Sequence, residues 1–167
     1  MKSKGQDVLV LPVIARGEQM PDLELQNERD VETKLIEPLL VRLGYIQSDW
    51  IRQMPVKMGR GERNYPDYAF GAKSKRGEES ARMVLESKYQ LSAHKEFMES
   101  FYQVKSYAPR LQCKVMTMAA KEGIWIFTAE NGTFDLKRVV HKTWVELVHP
   151  DGFREALIQI GRNAVIG

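Results

Sequence analysis

A chain of 167 residues with 43% apolar and 28% charged side chains is long enough for one domain with a genuine core, and its composition is that of an ordinary folded protein. The apolar run Val8–Ile14 is too short to span a membrane and is broken by Pro12, so a cytosolic protein is expected. The single cysteine, Cys113, excludes an internal disulfide and a cysteine-built zinc site, and a net charge of +3 is too small by itself to argue for nucleic acid.

In chain order, residues 1–26 hold one apolar run and little periodicity and read as an N-terminal arm or extra strand ahead of a single domain at 27–167. A helix is expected from Asn27, a good N-cap, through the apolar rows Val31, Leu35, Leu39 and Ile36, Leu40, Leu43 to Gly44. Pro38 lies inside it and should kink or divide it. Glu28 and Glu32, four apart, extend the Ile36–Leu40 row toward the N-terminus. They are either solvated first-turn acids favoured by the helix dipole or members of a site.

Three strands follow at Trp50–Val56, Tyr65–Gly71 and Arg82–Tyr89, separated by a Gly59-Arg60-Gly61 turn and the polar loop Lys73–Ser80, and they read as a meander. Between Arg52 and Arg76 seven basic residues face two acidic ones, which suits either a phosphate backbone or a pair of solvated basic loops. Ser92 is placed as the cap of a helix over Ala93–Ala108, with Phe97, Phe101, Val104 and Ala108 on one face and Pro109 ending it. Strands are expected at Cys113–Ala119, Gly123–Thr128 and, after an Asn131-Gly132 turn, near Thr133–Val140; a closing helix runs from about Asp151 to Ile160. This order argues for an α/β sheet with helices on both faces, antiparallel in the meander and parallel across the crossover helix.

Chemistry concentrates on two of these strands. Glu86 and Lys88 are two apart and share a face, and pairing of the second and third strands brings Asp67 beside Glu86, with Glu28 or Glu32 approaching from the first helix. Grouped acids are costly to bury without a cation or protons. A hard divalent ion such as Mg²⁺ answers that cost with Asp67 and Glu86 as oxygen ligands. The chemistry would be activation of water for in-line attack on a phosphodiester, with Lys88 orienting the water or offsetting negative charge. A salt-bridged strand surface gives the same letters.

The ordered set Asn27-Glu28-Arg29-Asp30-Val31-Glu32, Pro38-Leu39-Leu40, Leu43-Gly44-Tyr45, Pro66-Asp67-Tyr68, Leu85-Glu86-Ser87-Lys88 and Gln103-x-x-x-Tyr107 resembles the N-terminal nuclease domain of type I restriction enzyme R subunits, a member of the PD-(D/E)xK nuclease superfamily. The resemblance covers about residues 27–130. It implies a restriction-endonuclease-like three-layer sandwich, with a central mixed sheet of about five strands flanked by helices. It also implies Mg²⁺-dependent cleavage of double-stranded DNA, with Mn²⁺ able to replace Mg²⁺. Asp67 and Glu86 would be metal ligands, Lys88 the catalytic lysine, and Glu28, with Glu32 as its substitute, the helix carboxylate. Gln103 and Tyr107 would hold DNA backbone or position the lysine. Arg52, Lys57, Arg60 and Arg63 are the expected DNA contacts in the basic stretch. Met118 to Gly123 departs from the Thr-Asn-Gly that the family often carries, and no phosphate-binding loop of a helicase motor occurs in these residues. The implied partners are DNA and either modification and specificity subunits or a separate motor, in a prokaryotic or phage setting. The alternative is a DNA-binding module whose nuclease stays dormant until such a partner joins it.

Overall fold

The computed structural model describes residues 23–59, 61 and 63–167. Most of the expected arm at 1–26, and Arg60 in the basic stretch, lie outside the described residues.

The first helix, α1, spans 28–42 as three consecutive segments: an α-helical turn Glu28–Val31, a π-helical stretch Glu32–Ile36 and an α-helix Glu37–Arg42. Asn27 caps it as expected, its Oδ1 accepting the Asp30 N–H at 2.9 Å. The division expected from Pro38 takes the form of the widened π turns: proline has no N–H to offer a carbonyl one turn back, and its ring needs the room. Gly44, at φ +100°, lets the chain turn back so that the Tyr45 N–H closes on the Leu40 carbonyl.

A six-stranded sheet follows, ordered β1 (Trp50–Arg52), β4 (Tyr68–Phe70), β5 (Met83–Ser87), β6 (Val115–Ala120), β7 (Gly123–Thr128) and β8 (Val139–Lys142). Only the β5–β6 pair is parallel, and helix α2 (His94–Tyr107) makes that crossover. The sheet has the six strands expected along the chain, one more than the five or so that the resemblance implies. A separate two-stranded ribbon, β2 (Val56–Lys57) with β3 (Arg63–Asn64), flanks the expected Gly59-Arg60-Gly61 turn between the first two expected strands. Gln53 adopts φ +57°, which ends β1 and turns the chain into the ribbon.

Other boundaries move for local reasons. The helix cap expected at Ser92 falls instead on Ala93, with no side-chain bond. The last strand shifts from Thr133–Val140 to Val139–Lys142 because Leu136–Arg138 forms a 3₁₀ turn whose Lys137 N–H bonds the Asp135 carboxylate. Three C-terminal helices, α3 (Trp144–Val148), α4 (Pro150–Ile160) and α5 (Arg162–Val165), replace the single one expected. Thr143 and Glu146 form a capping box that starts α3.

Both sheet faces are buried. Met83 and Leu85 on β5, with Tyr68 and Phe70 on β4, pack against Val31, Leu35 and Leu39 of α1 and Trp144, Leu147 and Ile160 of the C-terminal helices. Val84, Ala69, Met116 and Phe127 face the other way, onto Phe101, Val104 and Tyr107 of α2. A strand sandwiched in this way reads as a continuous apolar run, which β5 does until Glu86. Cys113 lies in this second core with its thiol pushed up to about 12 by burial, as a small packing residue. Among the described residues no helix is long and apolar enough to cross a membrane.

Gly123 begins β7 at φ +132°, and a Cβ there would fall 2.1 Å from the Lys142 carbonyl oxygen on β8. Strain and a displaced β8 combine, so Gly123→Ala is expected to cost at least about 2 kcal/mol. The midpoint of chemical unfolding checks it; a change within experimental error would contradict the close approach of these strands.

Candidate functional site

The site forms where β4 and β5 reach the end of the sheet. Their register, Tyr68↔Leu85, carries on to set Asp67 opposite Glu86. Asp67 is buried, its Oδ2 accepting the Ser87 N–H at 2.9 Å and its Oδ1 the Gln53 side-chain amide at 2.8 Å. Alternation along β5 then divides the motif: Glu86 and Lys88 face α2, whereas Ser87 faces α1.

On the α1 side three carboxylates converge on one hydroxyl. Ser87 Oγ lies 3.1 Å from Glu28 Oε2, 2.5 Å from Glu32 Oε2 and 3.0 Å from Asp67 Oδ2. A hydroxyl has one hydrogen to give, so at most one of these oxygens receives it. Oxygen atoms of Glu28, Glu32 and Asp67 lie within 4.8 Å of one another, a spacing that could hold a metal ion. Both candidates for the helix carboxylate are therefore at the site, but they differ in charge balance. Glu32 is 4% exposed and is bound by two guanidiniums, Arg29 at 3.1 Å and Arg52 at 3.0 Å. Glu28 and Asp67 have no cation within ion-pair distance among the described residues. Burial and the negative charge of Asp67 raise the Glu28 carboxyl above its usual range.

On the α2 side, Glu86 is 4% exposed; Oε1 accepts the Tyr107 hydroxyl at 2.6 Å and Oε2 stands 3.6 Å from the Lys88 ammonium. Burial, then the charge of Asp67, pushes its carboxyl up to about 7. The structure thus departs from expectation at Glu86, which is turned away from the three-carboxylate group and is held by Tyr107 and Lys88. Asp67 and Glu28 still act on it electrostatically, so the two halves form one charged centre.

The other expected residues separate. Tyr107 is fully buried and holds Glu86, leaving it no face for DNA. Gln103 is exposed on α2 and lines a cleft beside Lys88. Arg52 was counted with the DNA contacts, but its guanidinium is engaged by Glu32, Glu37, the Asp67 carbonyl and the Tyr68 ring. Lys57 and Arg63 are exposed and directly paired across the ribbon. Sequence reasoning missed Ser87, the residue on which the acids meet; the period-two rule alone puts it on the face opposite Glu86. It also missed Gln53, whose signal is a long-range contact with no local trace.

Comparison with family models, with curated protein sequences and with solved structures finds no match to this chain.

The raised Glu86 carboxyl gives a signed pH dependence. An acid titrating near 7 in the folded state and near 4.5 when unfolded favours folding fully below pH 4.5, and that contribution is lost as pH rises through 7. In chelator, the Tm of the parent is expected to fall between pH 4.5 and 7.5 more steeply than that of Glu86→Gln, by the equivalent of roughly 3 kcal/mol at most. Parallel curves for the two proteins would contradict the assignment.

Proposed function

We propose that this chain is a metal-dependent DNA endonuclease domain of the restriction-endonuclease-like kind, similar to the cleavage domain of type I restriction systems. The single observation that carries the reading is the pair of carboxylates, the partly buried Glu28 and the buried Asp67, that meet at Ser87 with no cationic partner within ion-pair distance among the described residues. An ion-paired scaffold would have neutralised them, as Arg29 and Arg52 neutralise Glu32. The donors are all carboxylate or hydroxyl oxygens, the set that Mg²⁺ prefers, with Mn²⁺ as substitute.

Glu28 and Asp67 would hold the ion, and Ser87 and Gln53 fix the Asp67 carboxylate in place. The ion supplies, when bound, acidified water and charge neutralisation at a phosphodiester. Tyr107 orients Glu86, and Glu86 in turn holds the half-exposed Lys88 ammonium at the mouth of the site. From there Lys88 can orient the attacking water and offset negative charge on a phosphate oxygen. Glu32 is a positioning residue: it ties Arg52, which also grips the Asp67 carbonyl, to the same hydroxyl.

A surface for the backbone of DNA is offered by the ribbon. Lys57 and Arg63 sit directly opposite each other, a like-charge pair that destabilises an exposed ribbon unless an anion lies between. The ribbon is anchored on α2 by Asn64 to Ser106, and on the turn that follows the helix by Arg110, which donates to the Met58 carbonyl.

With Mg²⁺ or Mn²⁺ the protein is expected to nick or linearise plasmid DNA, and Lys88→Ala to slow this by about 10²-fold or more. Undiminished cutting by Lys88→Ala would sink the mechanism, and DNA binding without cutting would favour the dormant module. Glu28→Gln is expected to abolish metal-dependent cutting while leaving the fold intact. Glu32→Gln, which removes the buried charge on α1 that Arg29 and Arg52 pair with, is expected to lower the Tm as well.

The ribbon makes a separate prediction. Lys57→Ala with Arg63→Ala should weaken binding to any duplex sequence alike and lower the slope of log affinity against log salt by about 2. An unchanged slope in a fluorescence-anisotropy titration would remove the ribbon from the interface.

A further inference from the structure

Beside the Glu86–Lys88 half of the site, between the end of β5 and α2, lies a cleft of about 360 Å³. Lys88 is common to both. The other lining groups include Tyr89, Gln90, Glu96, Glu99, Ser100 and Gln103. Ser100 is 2% exposed, and its hydroxyl is the buried side-chain polar atom without a hydrogen-bond partner among the described residues. A buried hydroxyl left unpaired is costly, and such a group at a cleft wall marks a place where a ligand completes the bond.

We propose that this cleft receives an unstacked nucleobase of the DNA strand next to the bond being cut. The inference rests on the endonuclease reading for its substrate, and the lining chemistry narrows what enters. Glu96 and Glu99, one helical turn apart, repel a phosphate, which excludes the backbone itself from the cleft. Carboxylates with the amides of Gln90 and Gln103 accept hydrogen bonds from ring N–H and amino groups, as the Watson–Crick edge of guanine presents side by side. Leu91 and Tyr89 supply apolar wall, and the volume falls within the roughly 300–1,000 Å³ of small-ligand pockets. Thymine, whose single N–H is flanked by two carbonyls, meets the carboxylates unfavourably. A base can reach this cleft only by leaving the stack, so the preferred substrate carries an unpaired nucleotide beside the cut.

The test uses nucleosides, which have no phosphodiester and so report on the cleft without cutting. Deoxyguanosine and thymidine are titrated separately into the protein while backbone amide NMR signals of residues 88–91 and 96–103 are followed. Deoxyguanosine is expected to shift these signals, thymidine to bind at least about fivefold more weakly, and Ser100→Val to lower deoxyguanosine affinity about fivefold, the loss of one neutral hydrogen bond. The exposed Glu99→Gln, which leaves the helix core untouched, is expected to weaken binding as well and serves if Ser100→Val fails to fold. No response to deoxyguanosine, equal binding of thymidine, or unchanged affinity in both variants would overturn the proposal. A protein that nicks plasmid yet ignores deoxyguanosine overturns the cleft alone. One that binds deoxyguanosine and cuts nothing overturns the nuclease reading alone.

Discussion

The antiparallel register of β4 against β5 is the constraint on which the site depends. With Tyr68 opposite Leu85, Asp67 falls where its carboxylate can take the Ser87 N–H, and the two neighbouring strand residues are sorted to opposite faces. A slip of one residue would exchange those faces, sending Ser87 into the α2 core and Glu86 toward α1. The register is strongly specified because both faces are apolar and different. Tyr68, Phe70, Met83 and Leu85 fit beneath α1, and Ala69 and Val84 beneath α2, with no polar surface on either side to absorb an error. Full burial of side chains of this size contributes about 1.5–3 kcal/mol each, so several such terms oppose any slip.

That apolar frame holds together a group of charges that would otherwise separate. Around Ser87 and Glu86 stand four carboxylates, and the cations are unequally shared. Arg29 and Arg52 go to Glu32, Lys88 goes to Glu86, and among the described residues Glu28 and Asp67 have only hydrogen bonds. The position of α1 softens the repulsion: its N-terminus points at the cluster, and the partial positive charge there favours acids in the first turn. Arg52 adds a structural link, since the same guanidinium bonds the Asp67 carbonyl, meets Glu32 and Glu37 and lies over the Tyr68 ring at 4.2 Å. Its charge serves the interior of the site rather than its surface.

Much of this arrangement was legible in the residues. The meander, the crossover helix and the shared face of Glu86 and Lys88 follow from periods of 2 and 3.6, and the structure has them all. Glu28 and Glu32 were rightly placed on one row, but periodicity cannot choose between residues four apart on the same row. What separates them is Arg52, twenty residues from Glu32 in the chain and brought to it only by the β1–β4 pairing. The same tertiary contact withdraws Arg52 from the basic stretch in which composition had counted it. The missed short helices after β8 and the separate ribbon share a cause: segments of two to five residues are too short for a period to declare itself, and their limits are set by local caps and by φ angles such as that of Gln53.

The run Glu86-Ser87-Lys88 shows why the site needs a sheet sandwiched between two helix layers rather than a helix surface. On a strand, consecutive residues point to opposite sides, so three neighbours can serve two environments at once. Ser87 draws in Glu28 and Glu32 from α1; Glu86 is gripped by Tyr107 from α2; Asp67, at the end of the adjoining strand, lies between the two and couples them electrostatically. Each helix therefore fixes one half of the centre through packing that is independent of the other. The charges are brought within reach of one another only at the sheet's end, where the strands stop covering them and Lys88 emerges beside the α2 cleft. That end of the sheet thus presents a positioned ammonium on one side and, among the described residues, two carboxylates outside any ion pair on the other, the polarity on which the proposed metal ion and phosphate would draw.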